Sequence, residues 1–489
     1  MDLLGSALHP LSALAPLLRR VGRWLEAGFA ACFCHPLLAL PLYLCTFPVA
    51  EIYFYSLGRR FSRRHQRKPH SVYSAADARE AARYWGTLCD TLVAERSVDE
   101  SLSEDSGGWF GGAEGSPGRD RRRSRESRSS FEQREGVEAM LRGWFIGDSA
   151  LSPRRDNVED FLSWAIFNED SASLDPSARA EVASLLLRCE EAMGRPLPPG
   201  REEGLVSMSY TLEQRWAQDA ARQVHRLPLL VYLMLQLGDQ ALGLFLRGLG
   251  YRRLCSGRLE YWCRPALVPS PSLADDPRPP PPPPMVFLHG VLGLLPYPIL
   301  LAQLCAHHTG AVLVPVFPHC SLRLDHLCAV LQERTAPHDA SELASAVHRM
   351  LARHSPAGQH PRGTFLCHSL GSAHLASLLK RVPELVAGCA FVDPICFLMP
   401  DGHVLRNFLY GRREGADWSH GSLSPISWFH YAQTRFVCCE PTVQDYFRRC
   451  FWWGQCWLHP SEIGCDAIVL LSGHDTVQAT PTQPRLRRV

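Results

Sequence analysis

In the C-terminal half of the chain, five continuous apolar runs alternate with stretches of helical spacing: MVFLH (285–289), AVLVPVF (311–317), GTFLC (363–367), AGCAFVDP (387–394) and CDAIVLLSG (465–473). Short apolar runs between helical stretches read as strands buried on both faces. The pattern therefore predicts an α/β class, with a mostly parallel sheet over residues 285–476 and helices on both faces. Ligands of such sheets bind at the carboxyl ends of the strands, so the polar residues that close each run are the ones to inspect.

Upstream the period is different. Residues 137–250 carry helical spacing in VEAMLRGWF, DNVEDFLSWAIF and SARAEVASLLLRCEEAM, and again from Leu227 to Gly250. They predict a helical extension. The last stretch is long enough for a membrane span, but Asp239 and Gln240 sit in its middle, which favours a core or interfacial helix. Residues 251–266 alternate around LEYWCRP as a short β-hairpin, and the Pro-rich tract 267–284 reads as a polyproline spacer, or as a ligand for an aromatic groove. Residues 71–96 have a helical pattern. The insert 97–135, rich in Gly, Ser and Arg, lacks the apolar groups needed to offset ordering entropy and predicts disorder. The tail 477–489 has no regular pattern.

Within the first 70 residues, positions 27 to 50 contain no Asp, Glu, Lys or Arg. That length spans a bilayer and predicts a single N-terminal anchor. Pro36, Pro41 and Pro48 leave a kinked span or a hairpin dipping into one leaflet open, beside the alternative of a buried helix. Arg59, Arg60, Arg63, Arg64, Arg67 and Lys68 outnumber Arg19, Arg20 and Arg23 across the segment, which puts the body in the cytoplasm by the positive-inside tendency.

Over 489 residues, 51 basic and 49 acidic side chains give a net charge of +2. No global field steers the chain to nucleic acid, and none is expected as a partner; the Arg/Ser dipeptides of the insert read as a solvated linker, with RNA binding or phosphorylation as the sharper alternative. The 18 cysteines are irregularly spaced, which points to free thiols in a reducing compartment and to no metal site.

Candidate chemistry lies at two strand ends. His289-Gly290-Val291-Leu292-Gly293 closes the first run, where small residues let the N–H groups of Gly290 and Val291 turn toward a cavity as an oxyanion hole requires. Cys367-His368-Ser369-Leu370-Gly371-Ser372 closes the third run, before a helix from Ser372 to Lys380. Its small residues two before and two after Ser369 suit a nucleophile elbow, with the Leu370 N–H completing the hole. Asp393 ends the fourth run as a candidate acid or a capping carboxylate. His319 ends the second as a substitute base or a polar rim residue. His368 adjoins Ser369, and His474 adjoins Asp475, too closely in sequence to act as base.

HGVLG, FLCHSLGS and LSGHDTV together resemble the α/β-hydrolase fold superfamily. A closer resemblance is to a group of fungal and algal membrane-anchored α/β hydrolases. It runs through WFIGDSALSPRRDNVEDFLSWAIF, HGVLGLLPY, PHCSLRL, FVDPICFLMP with NFLYG after it, and RCFWWGQCWL, on and off over residues 138–476. The resemblance implies carboxylic-ester hydrolysis with no cofactor or metal. Ser369 matches the nucleophile and Asp475 the acid, with Asp393 as the alternative acid. It also implies a histidine after a further strand, and the 14 residues beyond Asp475 contain none. The expectation is therefore a chain truncated or mis-spliced at its end, or a base that has been lost. The aromatic-rich stretch 397–458 falls where this fold inserts its lid; a core subdomain is the other reading. The resulting expectation is a membrane-anchored serine hydrolase acting on small-molecule or lipid esters, with membrane lipid as a partner. The alternative is an inactive lipid-binding or scaffold protein on the same fold.

Overall fold

The computed structural model describes residues 138–208, 227–267, 282–327, 337–355, 359–410 and 437–472 with isolated gaps, and part of 78–87. The anchor 27–50, the insert 97–135, most of the polyproline tract, residues 411–436 of the aromatic stretch, the tail 477–489 and Asp475 lie outside the described residues.

Seven strands form one sheet: β3 (Arg252–Ser256), β4 (Leu259–Arg264), β5 (Met285–Leu288), β6 (Val312–Pro315), β7 (Gly363–His368), β8 (Val386–Val392) and β9 (Asp466–Leu470), in the order β3-β4-β6-β5-β7-β8-β9. From β6 to β9 all pairings are parallel, while β4 runs antiparallel to both its neighbours. The fold is α/β with a mostly parallel sheet. The hairpin that sequence reading set apart before the Pro-rich tract is the end of this sheet, because Trp262 and Cys263 on β4 pair with Val314 and Leu313 on β6.

Strand alternation sorts the apolar runs onto two faces. Val286, Leu288, Leu313, Phe365 and Cys367 face one core with the helices Ala340–His354 and Gly371–Arg381. Phe287, Val312, Val314 and Trp262 face the other, with the helices Leu229–Gly248 and Pro298–His307. The helix over 340–354 starts where its sequence allows: the Asp339 carboxylate accepts from the Glu342 N–H at 2.7 Å and the Glu342 side chain answers at the Asp339 N–H, satisfying two otherwise unpaired donors. β9 departs from the expectation of strands covered on both faces. All five of its residues are exposed, Ile468 by 61%, and it is the last strand of the sheet among the described residues.

Above the elbow sits a second core. A short antiparallel pair, β1 (Phe145–Ile146) and β2 (Val206–Ser207), accompanies the helices Arg155–Phe167 and Pro176–Met193. Asp175 caps the second of these through the Ala178 N–H, Pro176 enters its first turn, and Gly194 closes it in the left-handed conformation. Trp144, Phe161 and Trp164 of this extension share one cluster with Leu398, Leu405, Phe447, Phe451 and Trp453 of the aromatic stretch, and with Leu370 and Ala373 of the elbow helix. Two indole N–H groups tie the halves together: Trp144 donates to Pro400 O and Trp453 to Ala165 O, each at 2.8 Å. The first part of the helical extension, residues 138–208, and the described part of the aromatic stretch thus form a single cap, while Leu229–Gly248 packs on the sheet.

Candidate active site

Ser369 lies between β7 and the helix Gly371–Arg381 with φ of +52°. A left-handed φ on a residue with a side chain costs on the order of 1–3 kcal/mol and persists only where surrounding contacts over-determine it. Those contacts are present. The Ser369 N–H donates to Val392 O at 3.0 Å, and Ser369 O accepts from the Ser372 N–H at 3.0 Å and the Ser372 hydroxyl at 2.6 Å. The Ser372 oxygen, fully buried, in turn accepts from Ile395 N at 3.0 Å and Cys396 N at 3.3 Å. Gly371 has no substitute here, since a Cβ on it would stand 2.1 Å from Leu288 O. Cys367, fully buried, donates its thiol to Ala390 O at 3.5 Å.

The loop after β5 passes directly over this turn. A Cβ on Gly290 would lie 3.2 Å from Ser369 Cβ, so glycine is needed for the approach. Buried His289 fixes the loop. Its Nε2 accepts from the Phe317 N–H at 3.1 Å, so Nδ1 carries the proton and donates to Gly290 O at 2.8 Å. Burial pushes the imidazole down to about 4, which keeps it neutral. A planar trans peptide with its carbonyl held this way sends the Val291 N–H in the opposite direction. Leu292 follows with φ of +80° and donates to Cys320 O at 2.7 Å. Neither the Val291 nor the Leu370 N–H has a partner among the described residues. The Gly290 N–H, by contrast, donates to the Tyr297 hydroxyl at 3.2 Å. That hydroxyl also lies 2.7 Å from His368 Nδ1, and burial pushes the phenol up to about 12, so it stays a donor.

The turn opens into a narrow apolar cleft lined by Val291, Ser369 and Leu370 together with Met399, Phe408 and Phe447 of the cap. Some aromatics of the 397–458 stretch therefore wall the cavity while others, such as Trp453, are cap core.

Asp393 follows β8 with φ of +46°; its Oδ1 accepts from the Ser472 N–H and its Oδ2 from the Ser472 hydroxyl, both at 2.6 Å. His319 is buried in the turn Pro318–Cys320, its ring 6.3 Å from that of Tyr446. No histidine hydrogen-bonds the Ser369 hydroxyl among the described residues, and no cluster of His, Cys, Asp or Glu among them has the makings of a metal site. Sequence reading missed Tyr297, Ser372 and the role of His289. HGVLGLLPYP hints at the first, since its tyrosine closes the same loop.

No family model matches the chain and no curated protein matches it. Among solved structures it is similar to a lipase candidate from Acinetobacter baumannii AYE, at 14% identity over 51% of this chain and 84% of that one, with a TM-score of 0.32. It is also similar to a thermophilic esterase from Thermogutta terrifontis, at 12% identity over 49% and 85% with a TM-score of 0.28. A third is a membrane phospholipase A described as a bacterial virulence factor, at 15% identity over 52% and 80% with a TM-score of 0.30. At such scores the likeness adds no weight to the strand order and the elbow.

Proposed function

We propose that the chain is a serine hydrolase of the α/β-hydrolase type that cleaves carboxylic esters with apolar acyl groups. The observation that carries this reading is Ser369, held at a left-handed φ between β7 and a helix, where it lines an apolar cleft. Ser369 Oγ attacks the ester carbonyl as its proton passes to a base. The oxyanion is received by the N–H groups of Val291 and Leu370, the alkoxide leaves, and water releases the acyl group. Gly290 serves the hole by the room it leaves, its N–H being occupied by Tyr297. Asp475 is the acid of this reading and Asp393 the alternative, with His319 as the substitute base within the described residues. The resemblance to fungal and algal membrane-anchored hydrolases belongs to the same proposal, as do an anchor at residues 27–50, a cytoplasmic body, the disordered insert and a lid over 397–458. Hydrolysis of a series of p-nitrophenyl esters by the full chain tests it. Turnover should rise with acyl length and vanish in Ser369→Ala; turnover that survives the substitution overturns Ser369.

A second reading has its own support: among the described residues no histidine hydrogen-bonds the Ser369 hydroxyl. On it the cavity holds a lipid chain without chemistry. Fatty-acyl binding equal in the wild type and Ser369→Ala, without ester turnover in either, would favour it.

A further inference from the structure

The helix Leu229–Gly248 is long and apolar enough to cross a membrane, yet its inner face is tied to the body by polar contacts. The Tyr232 hydroxyl donates to the fully buried Glu440 carboxylate at 2.8 Å, and Asp239 pairs with Arg323 at 3.3 Å. Leu242 and Leu246 pack on the sheet with Trp262. A spanning helix would have to break these contacts and place a carboxylate in hydrocarbon.

Its outer face is different. Leu230, Met234, Leu237, Leu244 and Phe245 are 46%, 64%, 43%, 65% and 44% exposed. Their spacing forms one stripe about 22 Å long at 1.5 Å per residue. An exposed apolar stripe of this extent marks an interaction surface. The helix lies against the loop that passes over Ser369, since a Cβ on Gly238 would be 3.3 Å from Leu295, and Ile299 just beyond that loop is 74% exposed. Charge at the C-terminal end of the helix is one-sided. From residue 229 to 264 there are five arginines and two carboxylates, and the carboxylates are already paired, Asp239 with Arg323 and Glu260 with Arg253. Arg247 and Arg252 are left exposed with no acidic partner among the described residues.

We propose that this stripe docks on a lipid bilayer. The helix lies in the membrane plane with Met234, Leu237 and Leu244 among the acyl chains, Arg247 and Arg252 at anionic headgroups, and the loop over Ser369 turned toward the lipid. This contact is separate from any anchor at residues 27–50 and does not depend on chemistry at Ser369.

The test uses the full chain in phosphatidylcholine vesicles with and without phosphatidylglycerol, a diazirine-bearing lipid as probe, and mass spectrometry to map the labelled residues. Labelling should fall on Met234, Leu237, Leu244, Phe245 and Ile299, spare Tyr232 and Leu242, and rise with phosphatidylglycerol. Met234→Glu combined with Leu244→Glu should lower labelling of this helix and of Ile299 severalfold, leave any labelling of residues 27–50 unchanged, and leave the thermal midpoint of the protein unchanged. Three results overturn the proposal: an unlabelled stripe while residues 27–50 are labelled, equal labelling of inner and outer faces, or a stripe that the lipid leaves unlabelled while a separate bifunctional cross-linker joins it to residues 27–50 or to a second copy. None of these readouts involves ester turnover, so the proposal fails or stands apart from the hydrolase reading.

Discussion

Two neighbouring strand ends use the same backbone device to opposite effect. Ser369 after β7 and Asp393 after β8 both hold a left-handed φ, +52° and +46°. The Asp393 carboxylate is occupied on both oxygens by Ser472, whereas the Ser369 hydroxyl has no partner among the described residues and Ser369 lines the apolar cleft. A strained turn on its own therefore does not mark chemistry. What separates the two is whether the side chain it presents is satisfied by the protein. At Asp393 the strained turn presents a carboxylate that Ser472 after β9 satisfies; at Ser369 it leaves a residue lining the cleft, and the proposed function puts the substrate carbonyl there.

Substitutions can break or sharpen this contrast. Asp393→Asn puts an amide where two donors converge, and should destabilise the fold by about 2–3 kcal/mol in urea unfolding while leaving Ser369 reactive in the folded fraction. Loss of ester turnover with unchanged stability would reverse the assignment and make Asp393 the acid. Ser372→Ala removes the oxygen that bonds Ser369 O, Ile395 N and Cys396 N, and should cost about 1–3 kcal/mol along with a drop in reactivity at Ser369, because the turn relaxes. A drop in stability alone would show that the turn holds its shape without the clamp.

Acid provides a gentler probe. His289 and His374 are pushed down by burial to about 4 and about 3, so between these values and the ordinary 6.5 the unfolded chain binds protons that the folded chain does not. Stability should be level between about pH 7 and pH 8, below the range where the buried thiols such as Cys320 and Cys396 enter the balance, and fall steadily from pH 6.5 toward pH 4. A flat profile over that range would mean these rings are not held neutral. The smallest effect is expected from Tyr297→Phe, which leaves the Gly290 N–H and His368 Nδ1 without their shared partner. It should cost about 1 kcal/mol and slow reaction at Ser369 without changing acyl-length preference, since Tyr297 is not among the cavity-lining residues.

The strands and the sharp turn at Ser369 were legible in the sequence because both depend on local signals: short apolar runs, and small residues at fixed offsets from Ser369. Gly371 could be read directly, since the helix packs on β5 with no room for a Cβ. Ser372 and Tyr297 could not, because the groups they hold lie 23 and 71 residues away in the chain. The joining of the helical extension to the aromatic stretch was hidden for the same reason, resting on contacts such as Trp144 to Pro400 across 256 residues. The hairpin was set apart because a Pro-rich tract separates it from β5 in sequence, while its hydrogen bonds go to β6. The apolar run of β9 suggested cover on both faces, but composition does not tell a central strand from an edge strand.

The contrast between the two strand ends is tested most directly by a fluorophosphonate, which forms a bond only with an accessible, reactive hydroxyl. Full chain treated with the reagent and digested should yield one adduct, on the peptide containing Ser369. The adduct should be absent from Ser369→Ala and retained in folded Asp393→Asn. No adduct on the wild type, or one elsewhere that persists in Ser369→Ala, would contradict the assignment of Ser369 as the nucleophile.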